Sequence, residues 1–117
     1  LLALLKLDRL AGETAASLPY GLQRRLEIAR ALALRPRLLL LDEPSLGLSP
    51  LLVEEMFALI AQLHREGLAI LLVEQNVAQS LSLAQRAYVM ENGAIRFSGS
   101  SQELLKSDEL RKAYLGI

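Results

Sequence analysis

Cysteine is absent from the chain, which excludes disulfides and thiolate metal sites. Histidine occurs once, at His64, so no second imidazole is available to build a metal site. Tryptophan is missing, and three Tyr and two Phe are the only aromatic residues, so the core must be built from aliphatic side chains, chiefly Leu and Ala. Neither sign of charge is in excess: 13 Lys and Arg face 13 Asp and Glu. No global field therefore draws the chain toward nucleic acid or an anionic membrane. The apolar runs, residues 38–41 and 68–73 among them, fall far short of the ~20 residues a membrane helix needs. Residues 1–5 are apolar, but no basic segment precedes them and no small-residue cleavage site follows, so they do not read as a signal peptide. The sequence begins without Met, in mid-pattern, and points to a start further upstream.

What is present is about half apolar over 117 residues, enough for one modest domain with a real core. Its centre is Leu38-Leu39-Leu40-Leu41-Asp42-Glu43. Four leucines between Arg35-Pro36-Arg37 and Pro44 read as a strand of a parallel sheet, covered on both faces. The two carboxylates then fall at its carboxyl end, where open α/β sheets hold ligands.

Around this strand the pattern alternates. Residues 1–10 read as a helix or its end, and residues 12–17 as a polar connection. Leu18-Pro19-Tyr20-Gly21 breaks the chain before a helix that starts at Leu22 and stops at Arg35-Pro36. After the strand, Ser49-Pro50 opens a second helix, with Ser as cap and Pro at the first position. Leu52, Met56, Leu59, Ile60 and Leu63 form its buried stripe, and Gly67 stops it. Residues 68–73 make a second strand, which completes a βαβ unit. Val77, Leu81 and Ala84 mark a short helix. Residues 86–91 and 94–98 form a hairpin about Asn92-Gly93, with Tyr88 and Phe97 facing each other across it. Ser100 and Glu103 have capping-box spacing, and Ser107-Asp108-Glu109 begins a last helix that runs to Leu115.

Two places carry chemistry. An Asp at a strand tip can hold a hydrated magnesium ion, and a neighbouring Glu can orient or deprotonate a water. The helix start at residues 18–22 can offer backbone donors to an anion, with Gly21 allowing close approach. Arg24 and Arg25 can assist a phosphate, although a basic pair on a helix is ordinarily a solvated face. Taken singly, each feature is what an ordinary loop or turn also shows.

In series they agree. The turn, the helix with Ala29-Arg30-Ala31-Leu32, Arg35-Pro36, the leucine strand, Asp42-Glu43-Pro44 and Ser45-Leu46-Gly47-Leu48-Ser49 resemble the ATP-binding subunits of ABC transporters. The resemblance covers residues 18–116 and is nearest to the subunits that drive branched-chain amino acid import. Leu18-Pro19-Tyr20-Gly21 with Arg24-Arg25-Leu26-Glu27-Ile28-Ala29 is similar to one of their two companion ATPases. Leu72-Val73-Glu74-Gln75-Asn76 and Arg111-Lys112-Ala113-Tyr114-Leu115-Gly116 are similar to the other.

The resemblance implies an α/β fold, the C-terminal portion of an ABC-type P-loop NTPase domain: parallel strands with helices, then an antiparallel hairpin and small helices. It implies ATP and Mg2+ as cofactors. Leu18, Pro19, Tyr20, Gly21 and Leu22 match the signature loop, which in the family contacts the γ-phosphate of ATP held by the partner. Asp42 matches the Walker B acid that supports magnesium, and Glu43 the catalytic base. Ser45 and Gly47 lie in the match to the D-loop, which crosses the dimer interface, and Gln75 takes the switch position. The implied partners are a second ATPase subunit and transmembrane permease subunits, not nucleic acid, at the cytoplasmic face of the membrane.

The departures are specific. Pro19, Tyr20 and Leu22 stand where the general signature has Ser, Gly and Gln, and Leu cannot donate the hydrogen bond a Gln can. Gln75 stands where most of the family has His, and it cannot titrate near neutral pH. None of the seven glycines is followed by Lys, so no P-loop is present, and the upstream Q-loop is missing as well. Residues 1–117 thus read as a partial domain that carries the base and the trans-acting loop without the phosphate cradle. Two alternatives stand beside transport: a non-catalytic half-domain that serves as an interaction or regulatory piece, and an ABC-type ATPase acting on nucleic acid or ribosomes. The second lacks the coiled-coil insertions, zinc cysteines or basic arms such relatives show.

Overall fold

The computed structural model describes residues 1–116, which fall into two compact units, Leu1–Val73 and the stretch from Glu74 onward. The first unit starts irregularly. Residues 1–10 form turns and one 3-10 turn, Asp8–Leu10, instead of the expected helix. Lys6 takes a left-handed φ of 57°, which no helix continues through, and the kink drops Leu5 and Leu7 into the core. A second 3-10 turn, Ala15–Ser17, leads to helix α1, Tyr20–Ala33. The helix starts two residues earlier than its apolar spacing suggests, with Pro19 as cap. Proline costs nothing there, since its missing N–H precedes the first intrahelical bond. Arg35, at φ 51° before Pro36, ends the helix as expected.

Strand β1, Leu38–Asp42, runs parallel to β2, Ala69–Val73, in register from Leu38 opposite Ala69 to Asp42 opposite Val73. The helix between them, α2, spans Pro50–Arg65. The Ser49 hydroxyl accepts the Leu52 N–H at 3.4 Å, Pro50 sits in the first turn, and Gly67 at φ 98° follows the end. The stripe is as expected, except that Leu52 is only half-buried and Phe57 joins Met56, Leu59, Ile60 and Leu63 in the core.

One expectation fails here. The leucine strand is covered on one face only. Leu39 and Leu41 are buried, while Leu38 and Leu40 are 54% and 64% exposed. Leu71 and Val73, on the same side of β2, are exposed too, so the pair presents a bare aliphatic face. A run of leucines has no alternation, so its pattern does not reveal which face is covered.

The second unit is assembled from local pieces. Helix α3, Val77–Leu83, is capped by Asn76, whose side chain accepts the Gln79 N–H at 3.1 Å. Strands β3, Arg86–Glu91, and β4, Ala94–Ser100, form the antiparallel hairpin. Asn92 and Gly93, at φ 50° and 77°, make the tight turn between them. Ser100 and Glu103 close a capping box on α4, Ser101–Leu105. Ser107 caps α5, Asp108–Leu110, which widens into a π-turn, Arg111–Leu115, before Gly116 at φ 67°. Leu81, Leu104 and Leu110 form the core, packed by Val77, Ala87, Val89, Phe97, Tyr114 and Leu115.

The expected pairing of Tyr88 with Phe97 is corrected by the register. Val89 stands opposite Phe97 and Tyr88 opposite Ser98, because an irregularity between Val89 and Met90 shifts the partners. Phe97 turns inward and meets Tyr114 edge-on at 6.4 Å, while Tyr88 stays outside under the Arg86 guanidinium.

Candidate functional site

Asp42 is the last residue of β1 and lies exposed at its carboxyl end. Glu43 follows in a left-handed conformation, φ 46°, which costs about 1 kcal/mol for a residue with a side chain. Its backbone N–H donates to the Val73 carbonyl at 2.8 Å and carries the sheet bonding one residue past the strand. Pro44 is buried directly after, and Leu46 N–H donates to the Glu43 carbonyl at 3.1 Å, which fixes the start of the loop. A strand that ends in a strained acid held by its neighbour is the arrangement expected where a side chain is aimed at chemistry.

The start of α1 is the second part. Pro19 has no side-chain acceptor, so the first-turn N–H groups are uncapped, whereas the other four α-helices are capped by Ser49, Asn76, Ser100 and Ser107. Gln23 Nε2 donates to the Leu18 carbonyl at 2.9 Å and fixes the approach to the helix. Leu22 is half-buried, and its N–H bonds Pro19. A Cβ on Gly21 would lie 2.9 Å from Leu52 Cδ1, so a side chain there pushes on α2.

The structure brings residues 18–22 and 45–48 together. The Tyr20 hydroxyl donates to the Leu46 carbonyl at 3.3 Å, and its ring lies against Gly47, where a Cβ would come within 3.3 Å of Cε1. Gly47 itself is at φ 77°. Tyr20 also receives a hydrogen bond from Arg24 Nε at 2.9 Å, with the guanidinium 5.1 Å from the ring centre. Arg24 pairs with Glu27 at 3.2 Å. Partial burial works against its charge, but the bonds to Glu27 and Tyr20 hold its pKa above the ordinary arginine value.

Arg25 is not on a solvated face. It is buried, paired with Glu55 of α2 and directed also at the Leu5 carbonyl, so it ties three segments of the unit. The signal was present: Gly21, Arg25, Ala29 and Leu32 share one helical face, and Arg25 is the polar member of that row. Ser45 is half-buried in the loop after β1. Gln75 belongs to the second unit, exposed in the bend before α3, where its N–H donates to the Glu74 carboxylate at 3.2 Å. His64 is exposed, with Nδ1 3.2 Å from the Leu68 carbonyl.

Among the described residues no three His, Cys, Asp or Glu side chains gather as a metal cage. The donor set at the strand tip, one aligned carboxylate with a second beside it, suits magnesium held mainly by water and phosphate oxygens. It does not suit an all-protein calcium or zinc site.

Parallel strands joined by a helix, acids at the strand tip, an uncapped helix start against the following loop, and a C-terminal hairpin define a portion of an ABC-type ATPase domain. The family model described as "ABC transporter" matches residues 1–46. The high-affinity branched-chain amino acid transport ATP-binding protein BraG of Pseudomonas aeruginosa is 50% identical over 104 residues, 89% of this chain and 45% of that protein. The lipopolysaccharide export system ATP-binding protein LptB of Acidithiobacillus ferridurans is 41% identical over 116 residues, 99% of this chain and 48% of that protein. A solved ATP-binding cassette of an ABC transporter superposes with a TM-score of 0.83 at 30% identity, covering 97% of this chain and 46% of that one. Along most of its length the chain is similar to the ATP-binding proteins of ABC transporters. It spans about half the length of the curated relatives it matches.

Proposed function

We propose that the chain is the C-terminal half of an ATP-hydrolysing subunit of an ABC importer for branched-chain amino acids. The observation that carries this is the end of β1: Asp42 exposed at the strand tip, then Glu43 in a strained left-handed turn pinned to Val73. Asp42 would support a magnesium ion bound with ATP, and the ion would supply charge neutralisation at the phosphates. Glu43 holds and polarises the water that attacks the γ-phosphate. Gln75 takes the family's switch position, and its amide can hydrogen-bond a phosphate without titrating. Within residues 18–22, the start of α1 without a side-chain cap offers the Tyr20 and Gly21 N–H groups to the γ-phosphate of ATP on a partner subunit. Ser45 and Gly47 line the loop that meets that partner. Positioning and charge stabilisation supply the rate enhancement in this scheme.

The phosphate cradle is not in residues 1–117, so the isolated chain neither binds ATP tightly nor turns it over. The bare face of Leu38, Leu40, Leu71 and Val73 is the surface a P-loop half would cover. No helix among the described residues is long and apolar enough to cross a membrane. In this reading the ATPase works on separate permease subunits at the cytoplasmic face. The 50% identity to a branched-chain amino acid ATPase supports the substrate class.

Purified chain is the test. No magnesium-dependent ATP turnover is expected; turnover that Glu43→Gln abolishes would overturn the half-site reading. A second reading, export of lipopolysaccharide, is favoured by the 41% identity to LptB across nearly the whole chain. Co-purification of the intact subunit with a permease of one system and not the other decides between them.

A further inference from the structure

We infer that Tyr20 is a positioning residue: it ties the loop at residues 45–48 to the first turn of α1, so the two segments move as one body. This rests on the reading above only for what those segments touch in an assembled ATPase; the tie itself is read from geometry.

Three contacts converge on one ring. The hydroxyl donates to the Leu46 carbonyl at 3.3 Å and accepts from Arg24 Nε at 2.9 Å, so both its proton and a lone pair are engaged within the chain. The ring face stacks under the Arg24 guanidinium at 5.1 Å, and Arg24 is anchored in turn by Glu27. The ring edge lies against Gly47, whose left-handed φ of 77° and missing Cβ let the loop come this close. One residue on, Gly21 backs onto Leu52 and Leu48, so the same two segments touch again through a position with no room for a side chain. Tyr20 is 48% exposed. Its use is therefore not hydrophobic burial, and its hydroxyl is not left over for a ligand.

The consequence is mechanical. A displacement at the start of α1, where the reading above places a partner's γ-phosphate, is passed to the loop after Glu43 through a rigid aromatic link. The loop also carries turn bonds, Leu46 N–H to Glu43 and Leu48 N–H to Ser45, but these lie within it, whereas the ring reaches across to α1.

The experiment is hydrogen exchange and proton shifts by NMR on the 117-residue chain, wild type against Tyr20→Phe and Tyr20→Ala. Tyr20→Phe keeps the ring on Gly47 and removes both hydrogen bonds of the hydroxyl, to the Leu46 carbonyl and from Arg24, so the Gly47 Hα shifts persist while the amides of Leu46 and Leu48 exchange about 5-fold faster. In Tyr20→Ala the ring-current shift of Gly47 disappears and the exchange quickens further. Unchanged Gly47 shifts and loop exchange in Tyr20→Ala would overturn the inference. In the intact subunit with its P-loop half, Tyr20→Phe lowers kcat several-fold at unchanged KM for ATP, which loss of general stability does not do. A loosened loop with unchanged kcat overturns the positioning role. Glu43→Gln in the same subunit separates the two ideas: full activity there refutes the catalytic reading, while the tie stands or falls on the exchange data.

Discussion

The parallel pair β1–β2 and the hairpin β3–β4 are each two-stranded, yet they are stabilised in different ways. The hairpin unit is local: a type of turn that Asn-Gly prefers, a capping box, two further caps and a small core of Leu81, Leu104 and Leu110. Its outer face mixes Tyr88, Met90 and Ile95 with Arg86, which stacks on Tyr88. The parallel pair needs α2 as a crossover, buries one face only and leaves the other bare, aliphatic but for Asp42 at the tip. Its helices are joined by buried Arg25 paired with the partly solvated Glu55. The strand-tip acids sit on the parallel pair, whose second face is bare, whereas the hairpin unit is fixed by local contacts.

Breaking the Arg25–Glu55 pair is expected to have the largest effect on folding. Arg25→Ala leaves Glu55 unpaired and removes the tie to Leu5, at a cost of about 3 kcal/mol, since Glu55 is partly solvated. Chemical denaturation measures it. Within β1 the two faces differ almost as much. Leu39→Ala is expected to cost about 2–4 kcal/mol and Leu40→Ala under about 1 kcal/mol in the isolated chain. If Leu40→Ala becomes as costly as Leu39→Ala once a P-loop half is attached, the bare face is the joint. Gly47→Ala follows, at about 1–2 kcal/mol, because a Cβ is disfavoured at its φ and meets the Tyr20 ring. The smallest effect lies in the hairpin unit. The Ser100 N–H, donating to the carboxylate, together with the Ser100 hydroxyl, holds the Glu103 pKa below the usual carboxylate value. A lowered folded pKa stabilises above the unfolded value and is lost as pH falls through the folded one. Glu103→Ala should therefore destabilise at neutral pH, and the difference from wild type should vanish in acid.

The same contrast explains what was legible in the sequence. The hairpin strand 86–91, its Asn92-Gly93 turn and the Ser100/Glu103 box were readable because each is fixed by residues within a few positions. Ser49-Pro50 and Gly67 marked α2 for the same reason. Tyr88 and Phe97 were misplaced because one irregularity after Val89 changes the register, and nothing in the composition marks it. The turn at residues 1–7 was missed because Lys6 takes a left-handed φ that Lys rarely adopts. The one-sided burial of β1 was hidden by four identical residues. In the site, the strand-tip acids were visible from position alone. The strain at Glu43, the Tyr20 link to Leu46 and the Arg25–Glu55 pair were not, because each is a long-range contact that a local pattern does not encode.

The central claim is that residues 1–117 hold the metal and water side of an ATP site and depend on a P-loop half for phosphate. The direct test is the ATPase rate and ATP affinity of the intact subunit that contains this chain, with and without Glu43→Gln. The account predicts that the substitution lowers turnover by about 10²-fold or more while ATP binding persists. Hydrolysis that continues undiminished in Glu43→Gln would contradict it.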